Sequence, residues 1–156
     1  MGRIANNVTE LIGNTPLVRL SKLGANACAE IIVKLEYLNP GGSIKDRTCL
    51  ALINEAEKSG QLKKGGAIIE PTSGNAGVGL AMAAAVKNYK LIVTMPETIS
   101  VERRKLIRIF GAEIILTPGP EGMNGAIFKA KKLASQIPNS FMPQQFDNPA
   151  NPETHR

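Results

Sequence analysis

The chain has 156 residues, 43% of them apolar and 21% charged, proportions that fit one soluble domain with a buried core and exclude a disordered chain. There is no run of about 18 apolar residues to cross a membrane, and the opening MGRIANNVTELIGNTP lacks a secretory apolar stretch, so a cytoplasmic protein is expected. The net charge of +6 is spread over several elements with only 4% aromatic residues and no nucleic-acid motif, which argues against a nucleic-acid partner.

In chain order, short β-branched runs alternate with longer amphipathic ones. Strands are predicted at Leu17–Leu20, Ile31–Tyr37, Ala67–Glu70, Lys90–Met95 and Glu113–Thr117, with a short one near Phe141. Helices are predicted at Ile44–Ser59, Ala76–Asn88, Val101–Phe110 and Met123–Gln136. The fold class is therefore α/β, a parallel sheet flanked by helices. Asn39-Pro40-Gly41-Gly42 is a strong break, and the regular alternation begins after it, at Ser43. In ERRKLIRIFG, Leu106, Ile109 and Phe110 form the expected apolar stripe, with the basic residues on a solvated face. The Asn7-Val8-Thr9 sequon carries little meaning without a secretory signal. Cys28 and Cys49 are far apart, with no CxxC and no histidine-rich neighbourhood, so neither a disulfide nor a metal site is expected.

Two loops at helix starts carry the chemistry-bearing residues. In NPGGSIKDR, Ser43 and Asp46 have capping-box spacing, which puts Lys45 in the first helical turn. A lysine gains nothing from the positive end of a helix dipole. In such a field the ammonium form is disfavoured, and the neutral amine is a nucleophile for an aldehyde. An arbitrary lysine is far more often simply solvated. In PTSGNAG, the hydroxyls of Thr72 and Ser73, the Asn75 amide and free backbone N–H groups suit a carboxylate or phosphate, while Gly74, Gly77 and Gly79 would admit a flat ligand. Taken alone, the loop reads more readily as a helix cap with close packing. It matches neither GxGxxG nor a P-loop.

Together these loops, thirty positions apart from Lys45 to Asn75, resemble the cysteine synthase (O-acetylserine sulfhydrylase) family of fold-type II pyridoxal-phosphate enzymes. GNTPLVRL, MPETISVERRKL, FGAEIILT, GMNGAI and QFDNPANPETHR extend the resemblance from Ile4 to Arg156, in order. It implies a segment 1–42 belonging to a larger domain, a small α/β cofactor and substrate domain 43–145, and a return to the larger domain at 146–156. It implies pyridoxal 5'-phosphate as cofactor, with Lys45 as the lysine that holds it and moves the α-proton. Asn75 meets the cofactor's ring oxygen, and Thr72, Ser73, Gly74 and Gln145 hold the substrate carboxylate. The implied reaction is β-replacement of O-acetylserine by sulfide, giving cysteine and acetate, with the small domain closing as a lid.

Two departures bear on that reading. Ala76 stands where the family usually has threonine, which removes a donor near the carboxylate and weakens substrate binding by about 1.5–3 kcal/mol. The family also continues for about as much again, carrying the phosphate-gripping loop and the serine that faces the pyridine nitrogen. A chain of this length is accordingly expected to be a fragment or truncated form with little activity alone, its first strands exposing edges. The alternatives are a cystathionine β-synthase-type enzyme, against which GMNGAI counts, and a non-catalytic binding module. Partners implied by the resemblance are O-acetylserine, sulfide, a second copy in a homodimer, and the carboxyl-terminal peptide of serine acetyltransferase; no nucleic acid or membrane is expected.

Overall fold

The computed structural model describes residues 4–156; the first three residues of the expected 1–42 segment lie outside the described residues. After a 3-10 turn at Val8–Leu11, strands β1 (Leu17–Arg19) and β2 (Ile32–Lys34) form a two-stranded antiparallel ribbon. Asn7 caps the 3-10 turn, its Oδ1 accepting from the Thr9 N–H at 3.0 Å, so the sequon asparagine serves local structure. The expected long strand Ile31–Tyr37 is cut short, because Glu36–Leu38 turns as a second 3-10 segment.

Glu36 is pinned there. Its carboxylate accepts from Thr15 Oγ1 at 2.5 Å, Arg47 Nε at 2.8 Å and Asn39 Nδ2 at 2.9 Å. The Arg47 guanidinium, chiefly by its hydrogen bond, holds the Glu36 carboxyl down at about 2. These bonds tie the amino-terminal ribbon to α1 (Lys45–Lys58). β1 and β2 pair with each other, so each has one partner, and Leu17, Val18 and Ile32 remain exposed.

The rest alternates regularly: β3 (Ala67–Pro71), α2 (Asn75–Lys87), β4 (Lys90–Pro96), α3 (Val101–Ile109), β5 (Glu113–Thr117), α4 (Gly122–Gln136), β6 (Ser140–Phe141) and the short α5 (Ala150–Glu153). The last four strands of the chain make one parallel sheet in the order β5-β4-β3-β6. β3 and β4 are buried over almost their whole length, which is why AIIEP and KLIVTMP read as continuous apolar runs without alternation.

One face of the sheet carries Ile68, Leu91, Val93 and Met95 against Cys49 and Ile53 of α1, the alanines of α2 and Ile107 of α3. The other presents Ile69 and Ile92 to Ala130 and Leu133 of α4. Burying one such isoleucine contributes about 1.5–3 kcal/mol. In α3 the fully buried residue is Ile107, while Leu106 and Ile109 are exposed, which shifts the expected stripe by about a third of a turn.

α2 is buried all round from Ala76 to Ala84, and small residues make that affordable in space. A Cβ at Gly79 would stand 3.0 Å from the Lys45 carbonyl oxygen and 3.1 Å from Cys49 Sγ; at Gly77 it would stand 2.9 Å from Ile107 Cδ1. These two glycines therefore serve helix packing, the reading the loop favours on its own, and Gly79 is what lets the first turn of α1 lie against α2. A Gly79→Ala chain is expected to lose about 1–3 kcal/mol, read as a lower midpoint in urea unfolding, because the first turn of α1 must move outward.

Candidate functional site

The strand order decides where a site can form. From β3 the chain steps to β4 and β5 on one side, then returns to place β6 on the other side of β3. The loops leaving the carboxyl ends of β3 and β6 thus diverge in sequence and meet in space, the switch point at which open α/β sheets bind ligands. The β3 loop is Thr72-Ser73-Gly74; the β6 loop leads to Gln144 and Gln145.

A cleft of about 320 Å³ opens there, lined by Lys45, Thr72, Ser73, Gly74, Asn75, Ala76 and Gln145, with Met123, Ile127 and Phe146 as an apolar rim. All six residues singled out from the sequence are on its wall, so Lys45 and Asn75 face one space although they lie on different helices. Lys45 is half-buried at the start of α1, and no hydrogen bond or ion pair to the described residues engages its Nζ.

The expected capping box is not formed as such. Ser43 Oγ accepts from the Lys45 N–H at 3.1 Å, but the Asp46 carboxylate turns back to the Gly41 N–H at 2.5 Å and not to Ser43. Asp46 is fully buried, and burial pushes its carboxyl up from the ordinary range. A Cβ at Gly41 would stand 2.5 Å from Asp46 Oδ1, so the glycine is required for that contact. The pair closes the NPGG turn and sets where α1 begins.

In the second loop Thr72 Oγ1 accepts from the Gly74 N–H at 3.3 Å, which occupies an acceptor site and leaves the hydroxyl hydrogen free to point elsewhere. No side chain caps α2, whose N-cap residue is Gly74; the Gly77 N–H bonds the Gly74 carbonyl at 3.0 Å, and the N–H groups of Asn75 and Ala76 stay available at the cleft. Nothing lies within 4 Å of a Cβ built on Gly74, unlike Gly77 and Gly79. Amine, carboxamide, hydroxyl and backbone N–H groups around an open glycine make a donor set that fits a flat aldehyde cofactor beside a carboxylate.

Three residues around the site were not anticipated. Arg103, assigned to a solvated face, donates from Nη1 to the Ser73 carbonyl at 2.7 Å and ties α3 to the loop. Glu70, 2% exposed at the end of β3, accepts from the Gln144 N–H at 3.1 Å and the Gln145 N–H at 3.4 Å. Burial pushes its carboxyl up to about 7, with those two N–H groups acting the other way. Asn151 donates to the Gln145 carbonyl at 2.7 Å and accepts from Thr48 Oγ1 at 3.1 Å. Glu70 had a signal, a lone carboxylate inside the apolar run AIIEP, since a buried charge is the informative exception. Cys49 is fully buried, and burial pushes its thiol well up; Cys28 is exposed, and both are free thiols. Among the described residues no cluster could hold a metal, and no helix is long and apolar enough to cross a membrane.

The parallel sheet flanked by helices is the fold of fold-type II pyridoxal-phosphate enzymes, and comparison with known proteins agrees. The family model "Pyridoxal-phosphate dependent enzyme" matches residues 8–156, and the chain belongs to that family. It is 56% identical over 156 residues to a probable cysteine synthase of Bacillus subtilis, covering 100% of this chain and 50% of that protein. It is 55% identical over 150 residues to a cysteine synthase of Staphylococcus aureus, covering 96% and 48%. The crystal structure of cysteine synthase from Entamoeba histolytica superposes with a TM-score of 0.93 at 45% identity, over 98% of this chain and 47% of that one. An O-acetylserine dependent cystathionine beta-synthase from Helicobacter pylori superposes with a TM-score of 0.89 at 41% identity, over 99% and 51%. The chain thus spans about half the length of these relatives.

Proposed function

We propose that the chain provides the lysine and the carboxylate-binding loops of a cysteine synthase, which replaces the acetate of O-acetylserine by sulfide to give cysteine. The observation that carries this reading is the convergence of Lys45, Asn75 and the Thr72–Gly74 loop on one cleft at the switch point of the sheet. Pyridoxal phosphate, when bound, supplies the electron sink that makes the α-proton of an amino acid removable.

Each residue then has a task suited to its chemistry. Lys45 would hold the cofactor through its Nζ and, once the substrate's amino group has taken its place there, its free amine would serve as the base that takes the proton from the substrate α-carbon. Asn75 offers its carboxamide to the cofactor's ring oxygen. Thr72 and Ser73 donate hydroxyl hydrogens, and Gly74 brings the backbone close, so that the substrate carboxylate is fixed and the α-carbon is aimed at Lys45. Gln145 closes the pocket from the opposite loop, with Met123, Ile127 and Phe146 as its apolar rim. Residues 1–42 and 146–156 would belong to a larger domain and 43–145 to the moving lid, in a cytoplasmic, homodimeric protein.

Calorimetric titration with O-acetylserine tests the carboxylate pocket. Saturable binding is expected, weakened about tenfold or more in Thr72→Val and in Gln145→Ala; unchanged affinity in both variants would refute the pocket. The Helicobacter relative favours a second reading in which the incoming thiol is homocysteine, and comparing O-acetylserine consumption with sulfide and with homocysteine separates the two. The same donors would take the terminal carboxylate of a serine acetyltransferase peptide, with the apolar rim receiving its side chains.

A further inference from the structure

Gln145 reaches the cleft from a turn that has little structure of its own. Gln144 sits in the left-handed region at φ 51, a conformation that a non-glycine residue holds only when its surroundings impose it. β6, which leads into this turn, has two residues. The turn is instead gripped from both sides. Glu70 takes the N–H groups of Gln144 and Gln145, at 3.1 and 3.4 Å, from the end of β3. Asn151 takes the Gln145 carbonyl at 2.7 Å and is itself held by Thr48, one turn beyond Lys45 on α1.

Glu70 is one residue before Pro71 and the Thr72–Gly74 loop, so the strand end that launches one wall of the cleft also clamps the other. A carboxylate has two oxygens, and here each accepts one backbone N–H. Burying such a group is costly, so its presence in an otherwise apolar strand calls for a task that an apolar residue could not perform.

We propose that Glu70 is a positioning residue for the carboxylate pocket: by bonding both backbone N–H groups of the Gln144–Gln145 turn, it sets the register of Gln145 against the Thr72–Gly74 loop. This rests on the reading of Gln145 as part of that pocket. Glu70 touches no substrate atom; it acts through Gln145. Burial that keeps its carboxyl near 7 fits a group retained despite its cost in an apolar strand.

The test uses the full chain and two probes, O-acetylserine and its methyl ester, which lacks the carboxylate. Amide hydrogen exchange by NMR reads the turn, and calorimetry reads the preference for acid over ester. In Glu70→Gln the carboxamide has one acceptor, so one of the Gln144 and Gln145 amides should stay slow while the other exchanges about tenfold faster. The acid-over-ester preference should fall about tenfold, as in Gln145→Ala, and the double variant should lose no more than either alone. Thermal unfolding that remains cooperative shows that the variants are folded, and Glu70→Asp serves in place of Gln if they are not. A preference that falls in Gln145→Ala but is unchanged in the Glu70 variants overturns the proposal and leaves the pocket standing. No preference in the parent chain, or one insensitive to Gln145→Ala, overturns the pocket and the proposal with it.

Discussion

A Lys45→Ala chain is expected to lose the site-specific covalent retention of pyridoxal phosphate. Mixed with the cofactor and reduced with borohydride, the parent chain should carry the label at position 45, and the variant should carry only the sparse label of exposed lysines. Surface lysines such as Lys58, 81% exposed in its side chain, are spread over water and are not pre-positioned at a loop of backbone donors. Lys45 differs in being half-buried, fixed at the first turn of α1 by the Ser43 Oγ contact, and facing Asn75 across the same cleft. Pre-positioning of amine and ring partner is what raises the local effective concentration of an otherwise ordinary amine. Equal labelling of the two chains, measured by peptide mass mapping, would remove Lys45 from its role.

The second large effect concerns stability. Glu70 has its folded carboxyl raised to about 7 from an ordinary 4.5. Below pH 4.5 the group is protonated in folded and unfolded chains alike and costs nothing. As pH rises from 4.5 to 7 the unfolded chain releases the proton first, so the folded state loses about 3 kcal/mol over that window, and the loss levels off above it. For a chain of this size that corresponds to roughly 6–12 °C in melting temperature. Glu70→Gln cannot ionise, so the difference between parent and variant should shift toward the variant by that amount between pH 4.5 and 7. Parallel stability curves across the window would show that the Glu70 carboxyl titrates as in water. Lys131, Asp147 and the buried, uncharged Cys49 thiol lie around this carboxylate and are common to both chains.

How far the sequence carried is uneven. The parallel sheet and its four long helices were legible because β3, β4 and α2 are apolar runs of distinctive length and the breaks between them hold glycine and proline. What failed was local. Ile31–Tyr37 looks like one strand, but Glu36 is drawn into bonds with Thr15, Asn39 and Arg47, contacts from distant parts of the chain that no local pattern reveals. Asp46 has capping-box spacing, but the Gly41 amide competes successfully for its carboxylate. Gly77 and Gly79 resembled ligand-facing glycines, yet each stands where another helix approaches. The six candidate residues stood out as motif matches, not as geometry. Their shared cleft follows from the β6-β3 adjacency, which depends on a two-residue strand near Phe141 that sequence alone scarcely marks.

A rival location exists, since the groove between α1 and α5, lined by Ala51, Glu55, Lys58, Pro149 and Thr154, is larger, at about 580 Å³, than the cleft at the switch point. That groove holds an amine and a carboxamide, Lys58 and Asn54, but both stand on the one helix α1, and no glycine loop brings backbone N–H groups to it. Backbone amide shifts recorded as O-acetylserine is added decide between them. Movement concentrated at residues 72–76 and 145, with Lys45 beside them, is the expected result; movement confined to residues 51–58 and 149–154, with the 72–76 loop still, would contradict the assignment of the site.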